Sequence, residues 1–309
     1  MMNRRAFLWT AAGALAAPAP VIDTHIHLFD TSRPQGVPWP DKKNAVLYRP
    51  ALPDRYRQIA VPLGVKGAVV IEASPWFDDN QWVLDIAAKE PIIVGTIGNL
   101  EPGGAEFGKQ LERFHRNPLF RGIRYGNLWD RVLGTQLRRD EFLTGLKLLS
   151  QANLTLDTAN PDMDLIGAVV KVTDLVPGLR VVIDHLPQMG IPAEPAVAQK
   201  YRAELRELAG RPQVYVKLSQ IFQRAGDAVP RDLGRYRATL DEIYGFFGED
   251  RVLYGSDWPN CDLWRPYPDV LGLVQQYFAD KGPTATEKYF WRNSVSAYRW
   301  VKRESGQPG

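Results

Sequence analysis

A single (β/α)8 barrel of the TIM type is the α/β fold class that this 309-residue sequence predicts. Eight short apolar runs alternate with amphipathic helical segments, and the runs are apolar on both faces, as the strands of a helix-covered parallel sheet are. A doubly wound open sheet is the alternative, but the first strand lacks the glycine-rich turn that usually marks that fold.

The predicted strands are runs of mostly Val, Ile and Leu. The first predicted strand lies at the start of 21–30. The other seven are 66–72, 92–97, 120–124, 154–157, 180–185, 213–219 and 251–257. A long connection, residues 28–57, follows the first strand. Connections of this length are usually functional, and we expect its Trp39, Tyr48 and Arg49 to cover a pocket.

Helical segments separate the strands. Asp78 or Asp79 suits an N-cap, Pro161 suits a first helical turn, and Gly178 and Gly210 suit helix ends. The predicted helices contain 82–87, 104–116, 140–152, 161–178, 193–209, 240–247, 265–280 and 285–302.

The first strand carries the strongest functional signal. Side chains alternate between the two faces of a strand, so Asp23, His25 and His27 are expected on one face, and Ile22, Thr24 and Ile26 on the other. Two imidazoles then converge, and neutral imidazole is the commonest protein ligand for metals. The pair predicts a metal site, with packed or solvated histidines as the alternative.

Polar side chains occur at seven of the eight expected strand ends, where TIM barrels place their chemistry. A ring of buried charges is costly unless it serves a site. The residues are His25, His27, Glu72, Arg124, Asp157, His185, Lys217 and Asp257. Within this ring, His185 and Asp257 are candidate ligands beside the first-strand pair. The fourth histidine, His115, is expected at the surface.

Three members of this ring are candidate substrate-binding groups. Arg124 and Lys217 offer cationic donors to a carboxylate or to hydroxyls, and Asp157 offers an acceptor. Structural ion pairs are the alternative. Trp258 is a candidate pocket wall, with packing as its alternative.

Charge and cysteine content exclude several classes. The formal net charge is +3, which includes Arg4 and Arg5, so there is no electrostatic footprint for nucleic acid or an anionic membrane. The single cysteine, Cys261, excludes an intrachain disulfide and a Cys-based zinc site.

Residues 1–20 are expected to be a signal segment, and 21–309 the catalytic domain. Arg4-Arg5 precedes Phe-Leu and an apolar run too short to span a bilayer, which resembles a twin-arginine export signal. The mature protein is then periplasmic or secreted, without a stable membrane span. An uncleaved, anchoring segment is the alternative.

Four segments resemble the amidohydrolase superfamily, within it the amidohydrolase-2 group of metal-dependent TIM-barrel hydrolases. They are 22–28 (IDTHIHL), 120–124 (FRGIR), 182–186 (VIDHL) and 251–259 (RVLYGSDWP). The resemblance implies one divalent ion, expected to be zinc, held by His25, His27, His185 and Asp257. It also implies that Asp257 handles the proton of the attacking water.

Two features qualify the implied metal site. The fourth strand has Arg124 and lacks the carboxylated lysine of two-metal members, so at most one ion is expected, and activity without metal is an alternative. Glu72 is either an extra metal ligand or a hydrogen-bond partner.

Residues 216–219 (VKLS) and 255–259 (GSDWP) look most like the branch that opens sugar or dicarboxylate lactones. The expected activity is therefore hydrolysis of a lactone or similar ester, on an acidic or polyhydroxylated small molecule. A nonoxidative decarboxylase of the same superfamily, another hydrolase of C–O or C–N bonds, and a non-catalytic periplasmic ligand-binding barrel are alternatives. The oligomeric state is left open.

Overall fold

The computed structural model describes residues 19–309, which form the predicted (β/α)8 barrel. Eight parallel strands pair in chain order. They are β1 (Val21–Ile26), β2 (Val65–Ile71), β3 (Ile93–Gly98), β4 (Phe120–Arg124), β5 (Thr155–Thr158), β6 (Arg180–Ile183), β7 (Val214–Leu218) and β8 (Val252–Tyr254). All eight predicted strands are present.

The helices cover the outside of the barrel. They are α1 (Pro53–Ala60), α2 (Asp79–Lys89), α3 (Phe107–His115), α4 (Leu133–Gln136), α5 (Asp140–Gln151), α6 (Met163–Leu175), α7 (Leu186–Met189), α8 (Pro195–Ala209), α9 (Leu233–Phe247), α10 (Tyr267–Ala279), α11 (Pro283–Glu287) and α12 (Asn293–Tyr298). A π-helical turn, Lys288–Arg292, joins α11 to α12 where one helix was predicted. Helix α1 was missed because its eight residues are mostly polar.

The barrel interior has its own small apolar core, separate from the larger one between strands and helices. Ile22, Val94 and Val182 belong to this inner core, together with Tyr298 and Trp300 from the C-terminal segment. The main chain of Val301 donates to the carbonyl of Val94 at 2.9 Å. The C-terminal segment therefore closes the end of the barrel at which the strands begin.

The predicted alternation of side chains along β1 is wrong at its start. Ile22 faces the inner core, whereas Asp23 points outward to the hydroxyls of Tyr56 and Tyr267, both at 3.0 Å. A shift in the β1–β2 register between Asp23 and Ile26 accounts for the difference. A bulge of this kind re-aims the side chains that follow it, so His25 still points into the barrel.

The seam between β1 and β8 closes the barrel through a few specific bonds. The N–H of Asp257 donates to the carbonyl of His25 at 2.9 Å, and the N–H of His27 donates to the carbonyl of Trp258 at 2.8 Å. Gly255 permits this approach, because a Cβ there would lie 2.8 Å from the Cβ of His25. Residues singled out as ligands thus also hold the two ends of the sheet together.

Residues 1–18, which contain nearly all of the expected signal segment, lie outside the described part of the chain. Twin-arginine export and periplasmic location therefore stay predictions. Within residues 19–309, none of the helices combines the length and hydropathy needed to cross a membrane.

Two helical glycines give a matched test of packing. A Cβ on Gly145 in α5 would clash with the carbonyl oxygen of Pro102 and lie 2.8 Å from its Cα, whereas a Cβ on Gly245 in α9 meets nothing within 4 Å. Gly145→Ala is expected to lower the free energy of unfolding by about 1–3 kcal/mol. Gly245→Ala is expected to raise it by about 0.5–1 kcal/mol. Urea unfolding measures both, and equal effects would contradict the described packing.

Candidate active site

A cleft of about 580 Å³ opens where the strands end. Its walls include aromatic rings, amide side chains and ionisable groups. Among its lining residues are His27, Trp39, Arg124, Trp129, Asn160, His185, Gln220, Asp257 and Asn260. The cleft therefore combines apolar faces with polar groups that converge on one point.

Three side chains converge tightly at the floor of this cleft. Nε2 of His27 lies 3.2 Å from Nε2 of His25 and 3.1 Å from Oδ1 of Asp257, and Nε2 of His25 lies 3.5 Å from the same oxygen. Nε2 of His185 stands beside the group, 3.8 Å from Asp257 Oδ1. The four predicted ligands are thus brought together, with His25, His27 and Asp257 forming the compact set.

The position of the proton on His27 indicates that these three side chains can bind a cation. Nδ1 of His27 lies 3.0 Å from the carbonyl oxygen of Ile71, which can only accept, so Nδ1 carries the proton and Nε2 presents a lone pair. That lone pair faces the carboxylate of Asp257. Zinc–nitrogen bonds of about 2.0–2.1 Å give tetrahedral edges of about 3.3 Å, close to the observed separations. The donor set therefore fits one divalent ion.

The surroundings of His25 and His185 favour the neutral imidazole, the form that ligation requires. Burial lowers the pKa of His25 well below its usual value, and Lys217 adds to the effect. Burial also lowers the pKa of His185 to about 4, although Asp257 opposes this. Nδ1 of His25 lies 3.2 Å from the ammonium of Lys217 and 3.6 Å from Asp184 Oδ1, so its contacts come from buried groups beneath the cleft.

Asp257 is held ionised and fixed in direction. Burial alone would raise its pKa, but the imidazoles around it, His185 foremost, outweigh burial and bring the pKa below its usual value. Gln220 donates an amide hydrogen bond to Oδ2, and Asn260 donates to Oδ1 at 3.3 Å. The carboxylate can therefore accept a proton from a group in the cleft.

Asp157 and Lys217 do not line the cleft, which corrects their expected role in binding substrate. Both are fully buried one layer below it. They lie inside β5 and β7, whereas His185 and Asp257 lie beyond the ends of their strands. Both strands continue for one residue beyond the strand-end residue chosen from the sequence.

The two residues instead form a buried ionic layer. Nζ of Lys217 lies 2.9 Å from Asp157 and 2.9 Å from Asp184, and 3.2 Å from Nδ1 of His25. Tyr298 donates to Asp157 at 2.6 Å from the C-terminal segment. This structural role is the ion-pair alternative raised from the sequence.

Arg124 lies in the cleft wall but is paired with Glu72. Its Nε donates to Glu72 Oε1 at 2.9 Å and its Nη2 to the main-chain oxygen of Glu72 at 2.8 Å. The other Glu72 oxygen accepts from the N–H of Ser74 at 3.0 Å, and the Trp129 indole donates to it at 3.1 Å. Glu72 is therefore a hydrogen-bond partner, and it is absent from the metal-binding groups found among residues 19–309.

Trp258 does not line the cleft either, so its candidate role in substrate binding is wrong. It is fully buried, packs against Tyr56 with ring centroids 5.3 Å apart, and lies under the guanidinium of Arg55. Packing, the alternative given from sequence, is what the structure shows. From the long connection, Trp39 does reach the cleft, whereas Arg49 pairs with Asp262 at 3.6 Å outside it.

The family model for Amidohydrolase (Amidohydro_2) matches residues 22–300. The chain belongs to the amidohydrolase-2 family. This family of hydrolases is the one that the four sequence segments resemble, and the match covers the whole barrel.

Relatives of this amidohydrolase-2 protein include a lactonase. The L-fucono-1,5-lactonase of Burkholderia ambifaria is 27% identical over 294 residues, which cover 92% of this chain and 97% of that protein. A solved Burkholderia multivorans amidohydrolase with bound zinc has a TM-score of 0.78 at 24% identity, over 91% of this chain and 100% of that one. A "probable 2-pyrone-4,6-dicarboxylic acid hydrolase" of Acinetobacter baumannii, with citric acid bound, has a TM-score of 0.69 at 19% identity, over 90% and 99%.

Several cleft residues of the amidohydrolase-2 protein were missed from sequence: Trp129, Asn160, Gln220 and Asn260. The first three share left-handed backbone angles, with φ of 58°, 51° and 48°, and so do His185 and Asp257 at 57° and 60°. Such angles are uncommon outside glycine and cluster at functional sites. Asn160, Gln220 and Asn260 each lie three residues after a strand-end residue already singled out, a signal that could have found them. Trp129 had none.

Removing Lys217 is expected to destabilise this protein. Lys217→Met leaves Asp157 and Asp184 buried without their shared cation, and breaking a buried ion pair costs about 3–5 kcal/mol. The exposed Lys66, on β2, provides the control, since Lys66→Met should change the free energy of unfolding by less than about 0.5 kcal/mol. Adding Asp157→Asn to Lys217→Met should recover part of the loss. Equal unfolding free energies for the two single variants would contradict the buried ionic layer.

Proposed function

We propose that this protein opens a lactone ring by hydrolysis, with one zinc ion held by His25, His27 and Asp257. The observation that carries the proposal is the carboxylate of Asp257, fixed among three imidazoles at the floor of a cleft. The lactonase relative and the zinc in the Burkholderia multivorans structure support the same reading.

His25, His27 and Asp257 would hold the ion, which when bound would supply Lewis acidity to the substrate carbonyl and to a water in the cleft. Asp257 takes a proton from the attacking water as the water oxygen bonds to the carbonyl carbon. With the Ser219 hydroxyl, 2.8 Å away, donating to Nδ1 of neutral His185, the Nε2–H of His185 can donate to the carbonyl oxygen.

Ring opening completes the reaction. The bond between the carbonyl carbon and the ring oxygen breaks, and the departing alkoxide receives the proton that Asp257 took from water. The product is a hydroxy acid, and atoms balance with one water consumed. Gln220 keeps the second carboxylate oxygen in place throughout, so the same group serves as base and then as acid.

Metal content tests the ligand set. Elemental analysis of protein folded in zinc-replete medium should give about one equivalent per chain, because the donors fit a single ion. The His25→Ala/His27→Ala variant should lose it. His115→Ala is the control, since His115 is exposed at the end of α3 and should leave the metal content unchanged. Less than about 0.1 equivalent in a fully active protein would refute metal dependence and leave the histidines to polarise the carbonyl.

Asp257→Asn tests the base. The amide keeps the shape and one oxygen but cannot take a proton, so kcat on a lactone should fall by a factor of about 10² to 10⁴. A panel of lactones followed with a pH indicator gives kcat and KM. Asp174→Asn, on the exposed end of α6, is the control for the substitution itself. If Asp257→Asn kept more than a tenth of kcat, another group would be the base; release of CO2 without water consumption would favour a decarboxylase.

A further inference from the structure

The charge balance of the site bears on the substrate class. Two cations, Arg124 and Lys217, lie among four carboxylates in the cleft wall and the layer beneath it. The carboxylates are those of Glu72, Asp157, Asp184 and Asp257. The surplus is two negative charges, which a single divalent ion would balance. Among the described residues of this layer and cleft, no positive charge is left over for a substrate carboxylate.

Arg124 lines the cleft, and its charge is already paired with that of Glu72. An arginine grips a carboxylate through two parallel N–H bonds, and one such edge of Arg124 is engaged by Glu72: Nε donates to its carboxylate and Nη2 to its main-chain oxygen. The remaining nitrogen, Nη1, lies 3.9 Å from Asp184. Burial lowers the pKa of Arg124, but the attraction of Glu72 and Asp184 outweighs burial and raises it, so the guanidinium stays charged and paired.

Glu72 is held in this position from several sides. Ser74 and Trp129 both donate to its carboxylate, and the side chain is 5% exposed. Swinging Glu72 away to free Arg124 would leave a carboxylate without these donors in a buried place, which is costly. The pair is therefore a fixed neutral element of the wall.

The rest of the cleft suits an uncharged ring that carries hydroxyls. Asn160, Gln220 and Asn260 present amide groups, each able to donate and accept. Trp39 and Trp129 present flat apolar rings. Hydroxyls can satisfy the amides without bringing a charge beside Glu72.

We infer that Glu72 sets the charge preference of the site: by neutralising Arg124 it selects uncharged, polyhydroxylated lactones and rejects lactones that bear a carboxylate. The inference rests on the proposed lactone hydrolysis and adds the substrate class and the residue that decides it. It separates the two options, acidic or polyhydroxylated substrate, that the sequence left open.

The test compares two matched substrates. One is a neutral six-carbon 1,5-lactone, and the other is the same ring with a carboxylate in place of the exocyclic hydroxymethyl group. The wild type should have the higher kcat/KM on the neutral ring. Glu72→Gln keeps the shape and removes the charge, so Arg124 becomes available, and the anionic-to-neutral ratio of kcat/KM should rise roughly 10- to 100-fold.

Two further variants assign the effect. Adding Arg124→Met to Glu72→Gln should abolish the gain, because the gain acts through the freed guanidinium. Glu112→Gln removes a carboxylate from the exposed face of α3 and should leave the ratio as in the wild type. A wild type that prefers the anionic ring, or a Glu72→Gln ratio within about threefold of the wild type, would overturn the inference.

Binding separates this inference from the proposed reaction. The matching neutral and carboxylated lactams cannot be opened as readily, so calorimetric titration of the zinc-loaded wild type and Glu72→Gln proteins reports selectivity alone. If neither protein hydrolyses any lactone, but Glu72→Gln shifts binding towards the carboxylated lactam, the proposed reaction is refuted and the charge preference set by Glu72 stands. If the wild type hydrolyses lactones, but Glu72→Gln changes the preference in neither assay, the reaction stands and the role of Glu72 is refuted.

Discussion

The seam between β1 and β8 is the constraint on which the rest of this structure depends. Neighbouring strands elsewhere in the barrel pair along ladders of three or more residues, whereas here the closing bonds run from Asp257 to His25 and from His27 to Trp258. The buried carboxylate of Asp23 reinforces them by accepting from the N–H of Ser256 at 2.9 Å. The residues that close the barrel are therefore also the residues that form the ligand set.

Below the seam, the ionic layer explains how three histidines can stay at the centre of a barrel. Lys217 bridges two carboxylates and reaches the inner nitrogen of His25, while Tyr298 fixes Asp157 from the opposite end. An ion pair in such a place is weak evidence for stability, since desolvation offsets much of the attraction. Its value here is geometric: it limits the directions in which His25 can point, and it links that direction to the C-terminal segment.

The sequence predicted the architecture well because a parallel barrel repeats one simple pattern, and polar residues lie at or near the ends of seven of the eight apolar runs. The sequence could not predict how far below the cleft each of these polar residues lies. Asp157 and His185 look alike as strand-end residues, but Asp157 lies one residue before the end of β5 and is under the cleft, whereas His185 lies two residues beyond the end of β6 and is in it. The bulge in β1 was equally invisible, because the outward turn of Asp23 depends on Tyr56 and Tyr267 from distant helices.

The sequence also did not show which charged side chains form ion pairs with each other, and an ion pair changes the role that a residue can have. Arg124 alone indicates a site for carboxylates, and Glu72 alone indicates a metal ligand, yet at 2.9 Å each satisfies the other and neither keeps that role. The metal-binding set is different in kind, since the lone pairs of His27 and Asp257 face one another at 3.1 Å without a proton to share. The ion pair of Arg124 and Glu72 in the cleft wall leaves no free charge for an anionic ligand. The lone pairs of His27 and Asp257 at the cleft floor face each other without a proton and can bind a cation.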